Sequence, residues 1–285
     1  MPLVNLKTIL AEAELKSNAV AMFDVVGTDS LKAIIKGAEE CNSPVIIALA
    51  EVHMPYAPLE LIAPLMIDAA KRSSVPVAVH LDHGINYETI IKAMNLGFTS
   101  VMFDGSILDF EENLSKTKEI VKVAKALNIS VEAELGHVGG SEGGGEDNYK
   151  EYYTDPDLAE KFVAKTGIDA LAVAIGTIHG EYFKEPCLDL NRLSKIHSKV
   201  NIPLVLHGGS GLSNNDFYEC ISRGIRKINI FTEMSFAAAE GVRKYLNENK
   251  KVHCFEYSEF AEKCMKDVVK EKITLFGLTK NYSEA

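Results

Sequence analysis

The chain has 285 residues, 47% hydrophobic and 25% charged, an ordinary balance for a globular protein that buries a large core without staples. Forty acidic residues against 30 basic ones give a net charge of −10, and no Lys/Arg-rich block is present, which argues against nucleic acid as a partner. No apolar run approaches the roughly 18 residues of a membrane span. The segment MPLVNLKTILAEAELK lacks a signal peptide's apolar stretch, and five cysteines without metal-knuckle spacing read as reduced thiols of a cytoplasmic protein.

Short apolar runs alternate with amphipathic stretches along the whole chain. Strand-like runs lie at 20–25, 44–50, 76–81, 100–104, 130–135, 169–175, 203–208 and 227–231. They are nearly continuous apolar segments, as parallel strands covered by helices require. Helical candidates between them include 30–41, 112–127 and 216–225. Eight β-then-α units without a composition break predict a single (β/α)8 (TIM) barrel over 1–285, with an extra C-terminal helix near 255–280. An open doubly wound sheet is the structural rival, because periodicity does not report closure. The Gly- and carboxylate-rich loop at 139–153 follows the fifth run and is expected to be mobile; it reads either as a solvated linker or, on the catalytic side of a barrel, as a lid.

Barrel enzymes place their chemistry at the C-terminal ends of the strands. Here those ends are polar: His80, Asp82 and His83 on the third run, Asp104 on the fourth, Glu132 and Glu134 on the fifth, His179 after the sixth, His207 on the seventh, and Asn229, Thr232 and Glu233 on or after the eighth. Three imidazoles from three strand ends, His83, His179 and His207, match a catalytic zinc site with an open position. His53 and His137 read as solvent-facing or supporting groups. The sequence HGGSG at 207–211 suits an anion, because glycine lets backbone N–H groups approach and the next helix offers its N-terminus. The segment Asn229–Thr232 completes that corner.

Together, HLDHG (80–84), VMFDGS (101–106), VEAELGHVGG (131–140), LAVAIGTIHG (171–180), LVLHGGSG (204–211) and KINIFTE (227–233) resemble the class II aldolase family, and the resemblance runs over essentially the whole chain. It implies metal-dependent, reversible cleavage of a phosphorylated ketose, a ketose bisphosphate or ketose 1-phosphate, to dihydroxyacetone phosphate and an aldehyde. By resemblance His83, His179 and His207 hold Zn2+, and Asp82 is the acid/base at the hydroxyl of the breaking bond. Asp104 and Glu134 match a second metal position of some relatives, and Glu142 matches a mobile second proton carrier. Gly180, Gly208, Gly209, Ser210, Asn229 and Thr232 fall in the phosphate-binding segments, and Gly180 also resembles part of a monovalent-cation site. A homodimer or homotetramer is implied as well.

Two positions depart from the family pattern, and the loop around Glu142 reads SEGGGED in place of the commoner paired-acid pattern. Asp24 stands where relatives carry Asn, and Phe231 where they often carry Asp or Ala, which puts fructose 1,6-bisphosphate itself in doubt. A Schiff-base mechanism would need a lysine on the rim, and Lys227, at the start of the eighth run, is expected on the opposite, stability face. Two rival functions are another metal-dependent lyase or isomerase of sugar phosphates, and a non-catalytic aldolase-like partner subunit. The intact histidine set and Asp82 speak against the latter.

Overall fold

The computed structural model describes residues 2–140, 152–182 and 184–277. Eight parallel strands close on themselves: β2 (Val20–Asp24), β3 (Val45–Ala50), β4 (Val77–Gly84), β5 (Ser100–Phe103), β6 (Ser130–Leu135), β7 (Ala170–Val173), β8 (Leu204–Leu206) and β9 (Ile225–Ile230). The order β4-β3-β2-β9-β8-β7-β6-β5 is completed by a β4–β5 pairing, so the barrel is closed and the open-sheet rival is excluded.

A ninth strand was not anticipated from the sequence. β1 (Leu3–Val4) is two residues long and pairs with Val77 and Ala78, below the point where β5 joins β4 at His80. It leads into α1 (Leu6–Lys16), whose N-cap Asn5 accepts the Thr8 N–H. Leu6, Ile9, Leu10 and Ala13 of α1 pack with Val20, Met22, Ile46, Ala48, Ala78, Met102, Ala170, Ala172 and Val205 in one cluster that fills the lower barrel. The strand residues in this cluster have even numbers on β2 to β5 and on β7, and an odd number on β8. Because side chains alternate across a strand, that parity marks the interior face. The opposite parity, with Phe23, Ile47, Val79, Val131 and Ile230 among its members, packs against the outer helices.

Those helices are α2 (Thr28–Glu40), α3 (Leu59–Arg72), α4 (Tyr87–Asn95), α5 (Phe110–Ala126), α6 (Pro156–Thr166), α7 (Leu190–Lys199), α8 (Asn214–Ser222) and α9 (Thr232–Glu248). The extra helix is α10 (Cys254–Gly277), which packs on α2 and α9. Buried Lys272 of α10 reaches Glu233 at 2.8 Å and anchors the helix beside the start of α9. No helix among the described residues is long and apolar enough to cross a membrane.

Candidate active site

The interior parity also selects the polar residues. Asp24, His80, Asp82, Ser100, Glu132, Glu134, His207, Lys227 and Asn229 all share it and all are buried. They form a polar layer directly above the apolar plug.

His83 is the exception. By alternation it belongs to the outer face with Leu81. The β4–β5 register shifts between Leu81 and Gly84, and His83 adopts a left-handed φ of 45°. This bulge turns its ring inward, at a backbone cost of about 1–2 kcal/mol for a non-glycine residue. Its Nδ1 then meets Asp104 Oδ2 at 2.8 Å, and its Nε2 meets His207 Nδ1 at 2.9 Å.

His179 arrives from the turn after β7. Its N–H donates to the Gly139 carbonyl at 2.9 Å, and the Tyr182 hydroxyl ties this turn to β8 by donating to the Gly208 carbonyl at 2.8 Å. The rings of His83 and His179 lie 4.8 Å apart, those of His83 and His207 4.7 Å, and those of His179 and His207 5.7 Å. One nitrogen from each of the three comes within 4.8 Å of the others. A tetrahedral zinc held at ordinary Zn–N distances wants about 3.4 Å between ligand atoms, so small ring rotations suffice.

The donor set fits a cation. His179 Nε2 and Glu134 Oε2 are buried without hydrogen-bond partners. Burial pushes His179 and His207 well below the ordinary imidazole pKa, leaving both rings neutral. Burial opposes charge on His83 too, but Asp82, Asp104 and Glu134 outweigh it and raise its pKa to about 10. Glu134 is pushed well above the carboxylate range by burial and by Asp104. Without a metal, one proton on His83 thus occupies the position where three imidazoles and the neighbouring acids direct their electrons.

Asp82 sits beside this cluster, its Oδ2 3.7 Å from His83 Nε2, and Asn229 Nδ2 donates to both its oxygens at 3.3 and 3.4 Å. The cleft above is lined by Asp24, Asp82, His83, His179, Phe231 and all the expected phosphate residues: Gly180, Gly208, Gly209, Ser210, Asn229 and Thr232. Gly208 has φ 65°, and a Cβ there would collide with the Ile178 carbonyl oxygen, so no other residue keeps this loop.

Two sequence expectations change. Lys227 is not on the stability face: its side chain points into the barrel, fully buried, with Nζ 2.8 and 3.0 Å from the two Glu132 oxygens. It does not line the cleft, so it is badly placed to meet a substrate carbonyl. The helix that offers its N-terminus to the cleft is α9 rather than α8. The α8 terminus is closed by its own capping box of Ser213 and Asp216, whereas α9 begins at Thr232 on the cleft wall with no cap from Phe231, its Glu233 N–H donating to the Ser210 hydroxyl of the glycine loop at 3.2 Å. Of the two readings open for His53, solvent-facing or supporting, its burial against Phe231, ring to ring at 4.3 Å, fits the second. His137 pairs with Ser106 at 2.9 Å. Glu142 lies outside the described residues. Glu132 and Lys227 gain a place in the site that their residue types alone did not give them; the two-residue spacings Glu132–Glu134 and Lys227–Asn229 carried the signal.

The family model for class II fructose-bisphosphate aldolase matches residues 4–281. The chain belongs to the class II fructose-bisphosphate aldolase family. A fructose-bisphosphate aldolase of Staphylococcus aureus (strain Mu50 / ATCC 700699) is 40% identical to this class II aldolase, over 97% of this chain and 98% of its own. The crystal structure of the YdjI aldolase from Escherichia coli K12 superposes with a TM-score of 0.85 at 38% identity, covering 96% of this chain and 97% of that one. A Campylobacter jejuni fructose-bisphosphate aldolase gives 0.80 at 25% identity, covering 96% and 95%. The chain is therefore an aldolase of a metal-dependent family, an aldehyde-lyase on a closed barrel.

Proposed function

We propose that this aldolase uses zinc to cleave, reversibly, a ketose phosphorylated at its first carbon into dihydroxyacetone phosphate and an aldehyde. The observation that carries the reading is the 2.9 Å approach of His83 Nε2 to His207 Nδ1 beside Asp82, with His179 completing the set. The other nitrogens of His83 and His207 are already engaged by carboxylates, so these two face a common centre.

His83, His179 and His207 would hold the ion, which supplies Lewis-acid polarisation of the ketone carbonyl. Asp104 holds the His83 ring in place, and Glu134 turns a buried, unpartnered oxygen toward the same place. Asp82 removes the proton from the hydroxyl of the carbon beyond the breaking bond, and Asn229 holds both its oxygens toward that task. The amides of Gly208, Gly209 and Ser210 and the start of α9 would bind the phosphate and so place the carbonyl at the cluster. Glu142 would return a proton to the carbon left behind, and backbone at Gly180 would serve a monovalent cation.

Asp24 and Phe231 share the cleft and favour an aldehyde half that donates hydrogen bonds over one that carries a second phosphate, which a buried carboxylate repels. The reading includes a single catalytic domain, a cytoplasmic location and a homodimer or homotetramer. The test is a panel of aldehydes offered with dihydroxyacetone phosphate to chelated and zinc-reloaded protein. Product formed only after reloading supports the reading; product formed equally in both refutes it.

A further inference from the structure

Below the histidines lies an ion pair that the reaction itself does not use. Glu132 and Lys227 are both fully buried in the barrel interior. Lys227 Nζ donates to Glu132 Oε1 at 3.0 Å and Oε2 at 2.8 Å, and lies 3.9 Å from Asp82 Oδ1. Glu132 Oε1 also meets His207 Nε2 at 2.9 Å. A buried ion pair is a poor way to gain stability, since apolar residues of similar volume fill such a space at no greater cost. Its presence here calls for a different reason.

The geometry points to Glu132 and Lys227 as positioning residues that fix which nitrogen of His207 faces the metal. By donating to both Glu132 oxygens, Lys227 holds that carboxylate in place against the underside of the His207 ring. A carboxylate only accepts, so the single N–H of a neutral His207 sits on Nε2 and points down at Glu132. The lone pair is then left on Nδ1, the atom 2.9 Å from His83 Nε2. Asp104 does the mirror task at the rim, taking the Nδ1 side of His83 and leaving Nε2. The two ligands therefore present opposite ring nitrogens, each selected by its own acid. Hydrogen-bonded carboxylates behind metal-bound imidazoles typically contribute about 10- to 100-fold in metal affinity. His80 completes the surroundings: its Nδ1 engages Ser100 at 2.9 Å and its Nε2 lies 3.7 Å from Glu132 Oε2, too far to compete for the carboxylate.

This inference rests on the zinc reading, and the test separates the two. In zinc-loaded wild-type protein, long-range proton–nitrogen NMR of the histidine rings should show His207 protonated at Nε2 and His83 at Nδ1. His207 protonated at Nδ1 overturns the inference. Glu132→Gln/Lys227→Met removes both charges together; it should melt cooperatively without metal yet bind zinc about 10- to 100-fold more weakly and show an altered visible spectrum with Co2+. A folded double variant with wild-type zinc affinity and Co2+ spectrum also overturns it. Wild-type protein that melts cooperatively but takes up no zinc overturns the metal reading itself.

Discussion

The bulge that turns His83 inward depends on Gly84. A Cβ at Gly84 would sit 2.6 Å from the Met102 carbonyl oxygen, 2.8 Å from Ile90 Cγ1 and 3.1 Å from Leu81 Cδ2. Ordinary contact begins at 3.4 Å, so Gly84→Ala needs about 0.8 Å of movement against the backbone of β5 (3.4 less 2.6). Overpacking of this kind costs about 1–3 kcal/mol. At about 2–4 °C per kcal/mol for a chain of this size, the melting temperature should fall by roughly 2–12 °C. The same movement acts on the site, because the Asp104 N–H donates to the Gly84 carbonyl at 2.9 Å and Asp104 holds His83. Zinc affinity should therefore fall about tenfold, so the stabilisation gained on adding zinc should shrink by about 1.4 kcal/mol and the accompanying rise in melting temperature with it. Thermal melts with and without zinc, with affinity read by competition against a chromophoric chelator, measure both effects. A Gly84→Ala protein with wild-type stability and zinc affinity would refute the claim that the bulge sets the ligand geometry.

Asp82→Ala should keep its zinc while turnover drops by about 10²–10⁴; a variant with full zinc and full activity removes Asp82 from the mechanism. Asp24→Asn should improve turnover of ketose bisphosphates relative to ketose monophosphates, and an unchanged ratio across a substrate panel rejects its role in selectivity. Metal-free His83 has its pKa raised to about 10 from the ordinary 6.5. It therefore contributes stability that is fully present below 6.5 and is lost as pH climbs through 10. Zinc must displace that proton, so calorimetry at pH 7 in buffers of differing ionisation enthalpy should show at least one proton released per zinc; none released would mean His83 is neutral before the metal arrives.

Alternation of apolar and amphipathic stretches was enough to locate all eight barrel strands to within a few residues, because buried parallel strands have little freedom in composition. The histidines, Asp82 and the glycine loop were legible because charged groups at the ends of apolar strands have few structural reasons to be there. The two-residue strand β1 was not legible, since Leu3–Val4 carries no periodicity of its own. Neither was the inward turn of His83, which opposes the alternation of its strand and depends on a register shift with β5. Lys227 was assigned to the wrong end because its place early in the strand was weighed without its side chain's length; fully extended inside the barrel, it reaches the carboxylate layer. The helix that opens on the cleft was misassigned for a local reason: Ser213 and Asp216 satisfy the amides of α8 themselves, which three-residue spacing within SNND does announce.

The stopper formed by α1 also bears on how this enzyme tolerates change at its N-terminus. Leu6, Ile9, Leu10 and Ala13 seal the floor beneath Lys227 and Glu132. Trimming the chain past Lys16 would admit water from below to charges that now face each other, Asp82 and two histidines. Damage to an end of the polypeptide that holds no reacting group would then be felt first as a loosened grip on the ion.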